Sequence, residues 1–357
     1  MQILLIGRGA DGVEGAQLEG FEMYQRELME LGIFTRRIDL PALFSIERAL
    51  RAASDDVAFV MVGWNESPEN VVSTFERLSS IDRPKIIFLD HFAQTSTPFL
   101  DVLPYVDRYA KRQVLNDRSL YGKDFDGGYI FTDFFSRWRN FDLGSWHFGS
   151  RMTAAHDHKL THAWNLGVLA RYRRWVNIDL LRWTVRPIDV HCRLEIGRHS
   201  RAKWEWYQEY RTISRKAIEP LASKYRLSQQ RQVRRLRYFL ELAHSKIVFS
   251  PFGWGEVCIR DFEAVAAGAL LVKPSMDHLV TSPDIYRPFE TYVPIRWDLS
   301  DLVEKCTFYL EHPAEARRIA DNARTALRDY FEKRGFVRDV LRVLEGVEAN
   351  AAYDEAG

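Results

Sequence analysis

The chain has 357 residues, 46% of them hydrophobic and 28% charged, with a formal net charge of +1; this is the makeup of a globular protein, and its length suits two domains rather than one ordinary core. Three cysteines, Cys192, Cys258 and Cys306, stand far apart with no metal-like spacing, which excludes a disulfide scaffold and fits reduced thiols in a cytoplasmic protein. No run approaches the ~18 apolar residues of a membrane span, the start lacks a basic leader, and near-neutral charge without a recognisable module speaks against nucleic acid. In chain order, Gln2–Ile6 reads as a buried strand, 17–31 as a helix ended by Gly32, and Phe34–Leu40 as a second strand. Val57–Val62 and Lys85–Leu89 are continuous apolar runs, and such runs alternating with helical patterns predict a parallel sheet covered on both faces.

From about 131 to 206 the pattern changes: seven of the ten Trp fall there. A second alternating pattern follows, with strands at Val185–Leu194, Ser245–Ser250, Ala269–Val272 and Tyr292–Ile295, and helices at 229–243 and 299–310, the latter with Asp298 or Ser300 as cap. Pro313 suits the first turn of another helix, and Phe336, Val337, Val340, Leu341 and Leu344 form a last apolar stripe. The expected organisation is an α/β chain of two Rossmann-like domains, 1–180 with a Trp-rich linker and 181–335, then a C-terminal helix and tail over 336–357. Facing sheets would set both rows of carboxyl strand ends on one cleft, which suits joining a donor to an acceptor.

Charge is unevenly spread. Residues 171–237 hold fifteen Arg and three Lys against two Asp and four Glu. Such a basic block predicts either an anionic ligand or a solvated face, with anionic lipid headgroups as a further counterpart and hence peripheral contact with an inner membrane surface.

The most informative segment is Lys246–Pro274: a strand ending at Ser250, a tight turn Pro251-Phe252-Gly253-Trp254-Gly255, a helix from about Glu256 stopped by Gly268, and a new strand. Gly253 and Gly255 would let the backbone approach a diphosphate, and the helix start would offer it unpaired N–H groups. Arg260 lies one turn further in, Glu256 and Glu263 can accept from sugar or ribose hydroxyls, and Trp254 can stack on a base or sugar. The bland alternative is an ordinary strand–turn–helix connection.

With Glu263-Ala264-Val265-Ala266-Ala267-Gly268 followed by Ala269-Leu270-Leu271-Val272, this segment resembles the donor-binding half of group-1 type GT-B glycosyltransferases, and Tyr309–Pro313 with Ala320–Arg324 is similar to their closing helices. The resemblance spans roughly 185–345, and 1–180 matches by architecture alone. It implies a GT-B fold and a metal-independent transfer from a nucleotide sugar to a glycan, lipid-linked or other hydroxyl acceptor, as in bacterial polysaccharide biosynthesis. It implies that Glu263 binds the donor ribose. It also places an Arg and a Lys on the diphosphate, for which Arg193, Arg198 and Lys203 are the local candidates. Many members carry a second Glu eight positions earlier; Gly255 stands there, with Glu256 adjacent, so the stereochemical outcome is open. His191-Cys192-Arg193 is similar to the His-x-Arg of fucosyl-transfer enzymes and implies a GDP-linked donor.

An inverting transfer needs a base for the acceptor proton. Asp90 and His91 at the end of a strand are the first choice, and Asp11 the second. Gly7-Arg8-Gly9-Ala10-Asp11-Gly12 also fits G-x-G-x-x-G, so the rival function is an NAD(P)-dependent oxidoreductase; a non-catalytic carbohydrate-binding relic of the same fold is the other. Asp124-Phe125-Asp126 reads as a polar turn, His156-Asp157-His158 with His162 as a hinge or surface helix, and no metal is expected.

Overall fold

The computed structural model describes residues 1–8, 15–178, 185–194, 196, 205–228 and 233–347. The first half builds a six-stranded parallel sheet in the order β2-β1-β3-β4-β5-β7. Its strands are β1 (Gln2–Gly7), β2 (Phe34–Asp39), β3 (Val57–Val60), β4 (Lys85–Asp90), β5 (Arg108–Lys111) and β7 (Leu160–His162). Every residue of β3 is buried, the expected state of a strand covered on both faces. β2, at the edge, has no buried residue. The second half forms a four-stranded parallel sheet, β12-β10-β9-β8, from β8 (Ile188–His191), β9 (Ser245–Phe249), β10 (Leu270–Pro274) and β12 (Val293–Ile295).

A third, small sheet ties the halves together. β6 (Gln113–Leu115) pairs antiparallel with β11 (Leu279–Thr281), and Asn116 donates to the carbonyl of Asp277 at 2.7 Å. The larger apolar core is continuous from one half to the other. Trp164 packs against Phe21 and against Phe336 of the helix Gly335–Leu344, with ring centres 5.4 and 4.7 Å away, and its indole donates to the carbonyl of Gln17. The last helix thus returns to the first sheet.

Local differences from expectation have plain causes. The 17–31 helix is interrupted at Tyr24, whose φ of −113° and ψ of 23° separate Glu19–Met23 from Gln25–Glu30. The helix expected from 299 begins at Leu302 after Asp301, because Asp298 accepts from the Ser300 amide and Asp301 from the Arg296 amide, neither acting as a side-chain cap. Leu341, expected in the apolar stripe, is exposed. The helix expected from 229 begins at Arg235, with 229–232 outside the described residues. Asp126–Gly128 and Ala154–Lys159 are short 3₁₀ turns, and among the described residues no group of His, Cys, Asp and Glu is arranged to hold a metal. No described helix is long and apolar enough to cross a membrane.

Candidate functional site

The strand–turn–helix segment is organised around one carboxylate. Asp261, fully buried, accepts from the Ser250 hydroxyl at 2.6 Å, the Cys258 amide at 2.9 Å and the Tyr286 hydroxyl at 2.7 Å, and pairs with the fully buried Lys273 at 3.1 Å. Its reach back to the Cys258 amide is half of a capping box and fixes the helix at Ile259–Ala266, three residues later than expected. Ser250, expected on the donor, therefore supports the helix start from within, since its hydroxyl is spent on Asp261.

The turn 251–257 faces the other half of the molecule. A methyl group on Gly255 would lie 1.8 Å from the Ala93 carbonyl oxygen, so this glycine marks where two backbones press together. Glu256 is fully buried and accepts from the Thr95 amide at 3.2 Å and the Thr95 hydroxyl at 2.8 Å, with His278 Nε2 at 3.8 Å. The Gly253 amide donates to the Gly255 carbonyl. Trp254 stacks on Tyr207 with centroids 4.3 Å apart, and its carbonyl accepts from Tyr129. Gly253, Gly255 and Glu256, expected to cradle a diphosphate or meet a sugar, join the turn to itself and to the segment after β4.

The helix beyond it opens on a cleft. Ile259, its first residue, lines a cavity of about 550 Å³ with Gly15, Ala16, Glu19, Arg37, Leu166, Leu169, Arg171 and Arg235. Gly15–Glu19 follow the β1 segment and Ile259 follows β9, so both halves supply walls. Glu263, one turn in, is 7% exposed and accepts from the Tyr238 hydroxyl at 3.0 Å. Burial raises its carboxyl above the ordinary 4.5, while Tyr238, Arg171, Arg260 and Arg235 hold it back. Arg260 donates to the carbonyl of Arg193 at 3.0 Å. Arg193 grips Glu241 through two nitrogens at 2.6 and 2.8 Å, so its guanidinium orders the wall rather than standing open to a phosphate. His191, fully buried beside this pair, is pushed down to about 3 by burial and by Arg260 and is neutral at ordinary pH.

The expected bases fare differently. Asp90 is fully buried and engaged three times, by the Tyr109 hydroxyl at 2.9 Å, the Phe92 amide at 2.8 Å and Lys111 at 3.1 Å. Its place at a strand end does not bring it to solvent, because Lys111 on the neighbouring strand covers it. His91 is 5% exposed and stacks on Phe92 at 4.7 Å, while its carbonyl accepts from the buried Arg112 at 2.7 Å. Asp11, Arg198 and Lys203 lie outside the described residues, as do Gly9 and Gly12.

Residues not singled out from the sequence carry much of this site: Tyr238, Arg171, Arg235, Thr95 and the Asp261–Lys273 pair. Arg171 and Arg235 sit inside the basic block, while the capping box of Cys258 and Asp261 departs from the usual Ser/Thr-x-x-Glu/Gln pattern. Tyr238 and Thr95 carry no sequence signature.

Residues 173–341 match the model of a family described as "Glycosyl transferase-like". No curated protein matches the sequence. Among solved structures, a glycosyltransferase from Rickettsia africae ESF-5 is similar over 97% of this chain and 98% of its own, with 11% identity and a TM-score of 0.50. The apo structure of OtsA is similar over 96% and 98%, with 11% identity and a TM-score of 0.51. These likenesses are of fold: two Rossmann-like domains facing across a cleft.

Proposed function

We propose that this chain, a GT-B fold in which residues 173–341 match a glycosyl transferase-like family, moves a sugar from a nucleoside-diphosphate sugar to a hydroxyl acceptor, a glycan or lipid-linked saccharide. The observation that carries the reading is the convergence of one helix start, Arg171 and Arg235 on a cleft walled by both halves, with Glu263 one turn behind. A helix start presents amide donors and partial positive charge to phosphate oxygens. In this reading the diphosphate meets Ile259 and the Arg side chains, while the turn 253–257 holds the halves together. The buried carboxylate of Glu263 takes the ribose hydroxyls.

Charge that develops on the leaving diphosphate is balanced by the helix start and the arginines, without a metal. Water is kept from the donor by the two halves that form the walls. Of the groups expected to receive the acceptor proton, Asp90 is withdrawn, because Tyr109, Phe92 and Lys111 occupy its oxygens. In an inverting transfer His91 and Asp11 remain the candidates for that role.

The test is a thermal-shift panel of UDP, GDP, CMP, dTDP, ADP and NADPH on the wild type and on Glu263→Gln, followed by turnover of the matching nucleotide sugars. A nucleotide held at 100 times its Kd stabilises the fold by about 2.7 kcal/mol. Stabilisation by one nucleotide, lost in the variant, is expected; NADPH alone acting, or none acting, overturns the reading.

A further inference from the structure

A second pair of cavities lies away from the cleft, in the long insertion between β6 and β7. They measure about 460 and 230 Å³ and share the walls Phe141–Trp146. The first also touches Asp126 and His147, the second Glu205 and Trp206. The larger is within the size range of small-molecule sites.

Their chemistry is narrow. Trp146 is half-buried, and its ring packs at 5.7 Å from Trp254 of the motif turn and 5.9 Å from Trp206. The aromatic wall is therefore braced against the donor-side turn. Carboxylates line both cavities, Asp126 and Asp142 in the first and Asp142 and Glu205 in the second, and among the described residues no Lys or Arg lines either. Asp142 is exposed and held in place by accepting from the Gly144 amide at 2.8 Å through Oδ1. Trp206, 1% exposed, lines the second cavity, and its indole Nε1 has no hydrogen-bond partner among the described residues. An aromatic wall and carboxylate acceptors suit a ring with an apolar face and a rim of hydroxyls. The lining acids repel phosphates and uronates.

We infer that this insertion holds a subsite for a neutral saccharide, through Trp146, Asp142 and the cavity floor at Trp206. The inference rests on the glycosyltransferase reading to the extent that the sugar bound here belongs to the acceptor chain, beyond the unit that receives the new residue.

The experiment is a glycan array of neutral and acidic saccharides with the full chain, then calorimetric titration of the best neutral oligosaccharide against wild type, Asp142→Asn and His147→Ala. Asn at 142 keeps an oxygen for the Gly144 amide and removes the charge. Neutral glycans are expected to bind, and Asp142→Asn to weaken them about tenfold, the loss of one charge-assisted hydrogen bond, with an unchanged melting temperature and unchanged nucleotide affinity. His147→Ala, on an exposed wall, is expected to weaken them a few-fold and serves as the second variant. Preference for acidic glycans, binding to no neutral glycan, or wild-type affinity in both variants overturns the subsite. The two proposals fail separately: nucleotide binding without neutral-glycan binding overturns the subsite alone, and Asp142-dependent glycan binding without nucleotide binding overturns the donor reading alone.

Discussion

Two neighbouring stretches of the same motif have opposite fates. The turn 251–257 is packed under the first half of the molecule, with Gly255 against Ala93 and Glu256 bonded to Thr95. The helix Ile259–Ala266 begins beyond it on an open cleft, with Glu263 and the arginines at hand. The difference teaches that a glycine next to a helix start does not by itself say what approaches its backbone. Here one glycine admits another backbone, and the first residue of the helix, Ile259, lines the cleft a few residues later. Changes in the turn should act on stability, and changes in the helix on binding.

The largest effect is expected from Gly255→Ala. The added methyl would stand 1.8 Å from a carbonyl oxygen, a contact that only backbone movement relieves. Gly255 has no left-handed φ, so the substitution probes the contact between the halves and not the turn's own conformation. A loss of about 3 kcal/mol or more in chemical denaturation is expected. An unchanged midpoint would mean that the two halves do not meet there in solution.

Much of the fold was legible because its signals are local. The continuous apolar runs Val57–Val62 and Lys85–Leu89 correspond to β3 and β4, since strands buried on both faces must be apolar throughout. Gly268 with φ of +65° ends the motif helix as expected of a C-terminal glycine. The site was legible only in part, because its partners are distant in sequence. Arg193 reads as a phosphate ligand until Glu241, 48 residues on, is seen to occupy it. Asp90 reads as a base until Tyr109 and Lys111 close over it. Glu256, read as facing a sugar, depends on Thr95, 161 residues away. The first two pairings follow from how elements pack within one half and the third from how the two sheets dock, and no residue spacing encodes either.

Glu256→Gln sharpens the comparison at an intermediate size. The carboxylate accepts two hydrogen bonds from Thr95 inside the contact between the halves. An amide can accept from the Thr95 N–H and donate to the Thr95 hydroxyl oxygen, so both contacts persist without the charge that strengthens them, at a cost of about 1 kcal/mol. Denaturation of Glu256→Gln, Thr95→Ala and the double variant should give a coupling of about 0.5–3 kcal/mol, with nucleotide affinity changing far less than in Glu263→Gln. Equal losses of affinity at 256 and 263 would erase the division between turn and helix.

The smallest effect is one of pH, and it separates the roles of Tyr238 and Glu263. Burial already lifts the Glu263 carboxyl above 4.5, and the Tyr238 hydroxyl opposes the lift by donating to the ionised form. Tyr238→Phe removes that donor, so the carboxyl rises further. Ribose hydroxyls donate best to the ionised carboxylate, so nucleotide affinity should fall on acidification through the folded value, and the fall should begin at higher pH in Tyr238→Phe than in the wild type. Stability runs the other way. With the folded value above the unfolded one, the contribution of Glu263 is full below the unfolded value and is lost as pH rises through the folded one. Tyr238→Phe should therefore carry the loss of stability to higher pH than in the wild type while shifting the acid limb of binding upward, and Glu263→Gln should flatten both profiles. Nucleotide titrations and melts as functions of pH check this: an acid limb that stays in place without the Tyr238 hydroxyl would mean that Glu263 is not the group the nucleotide reads.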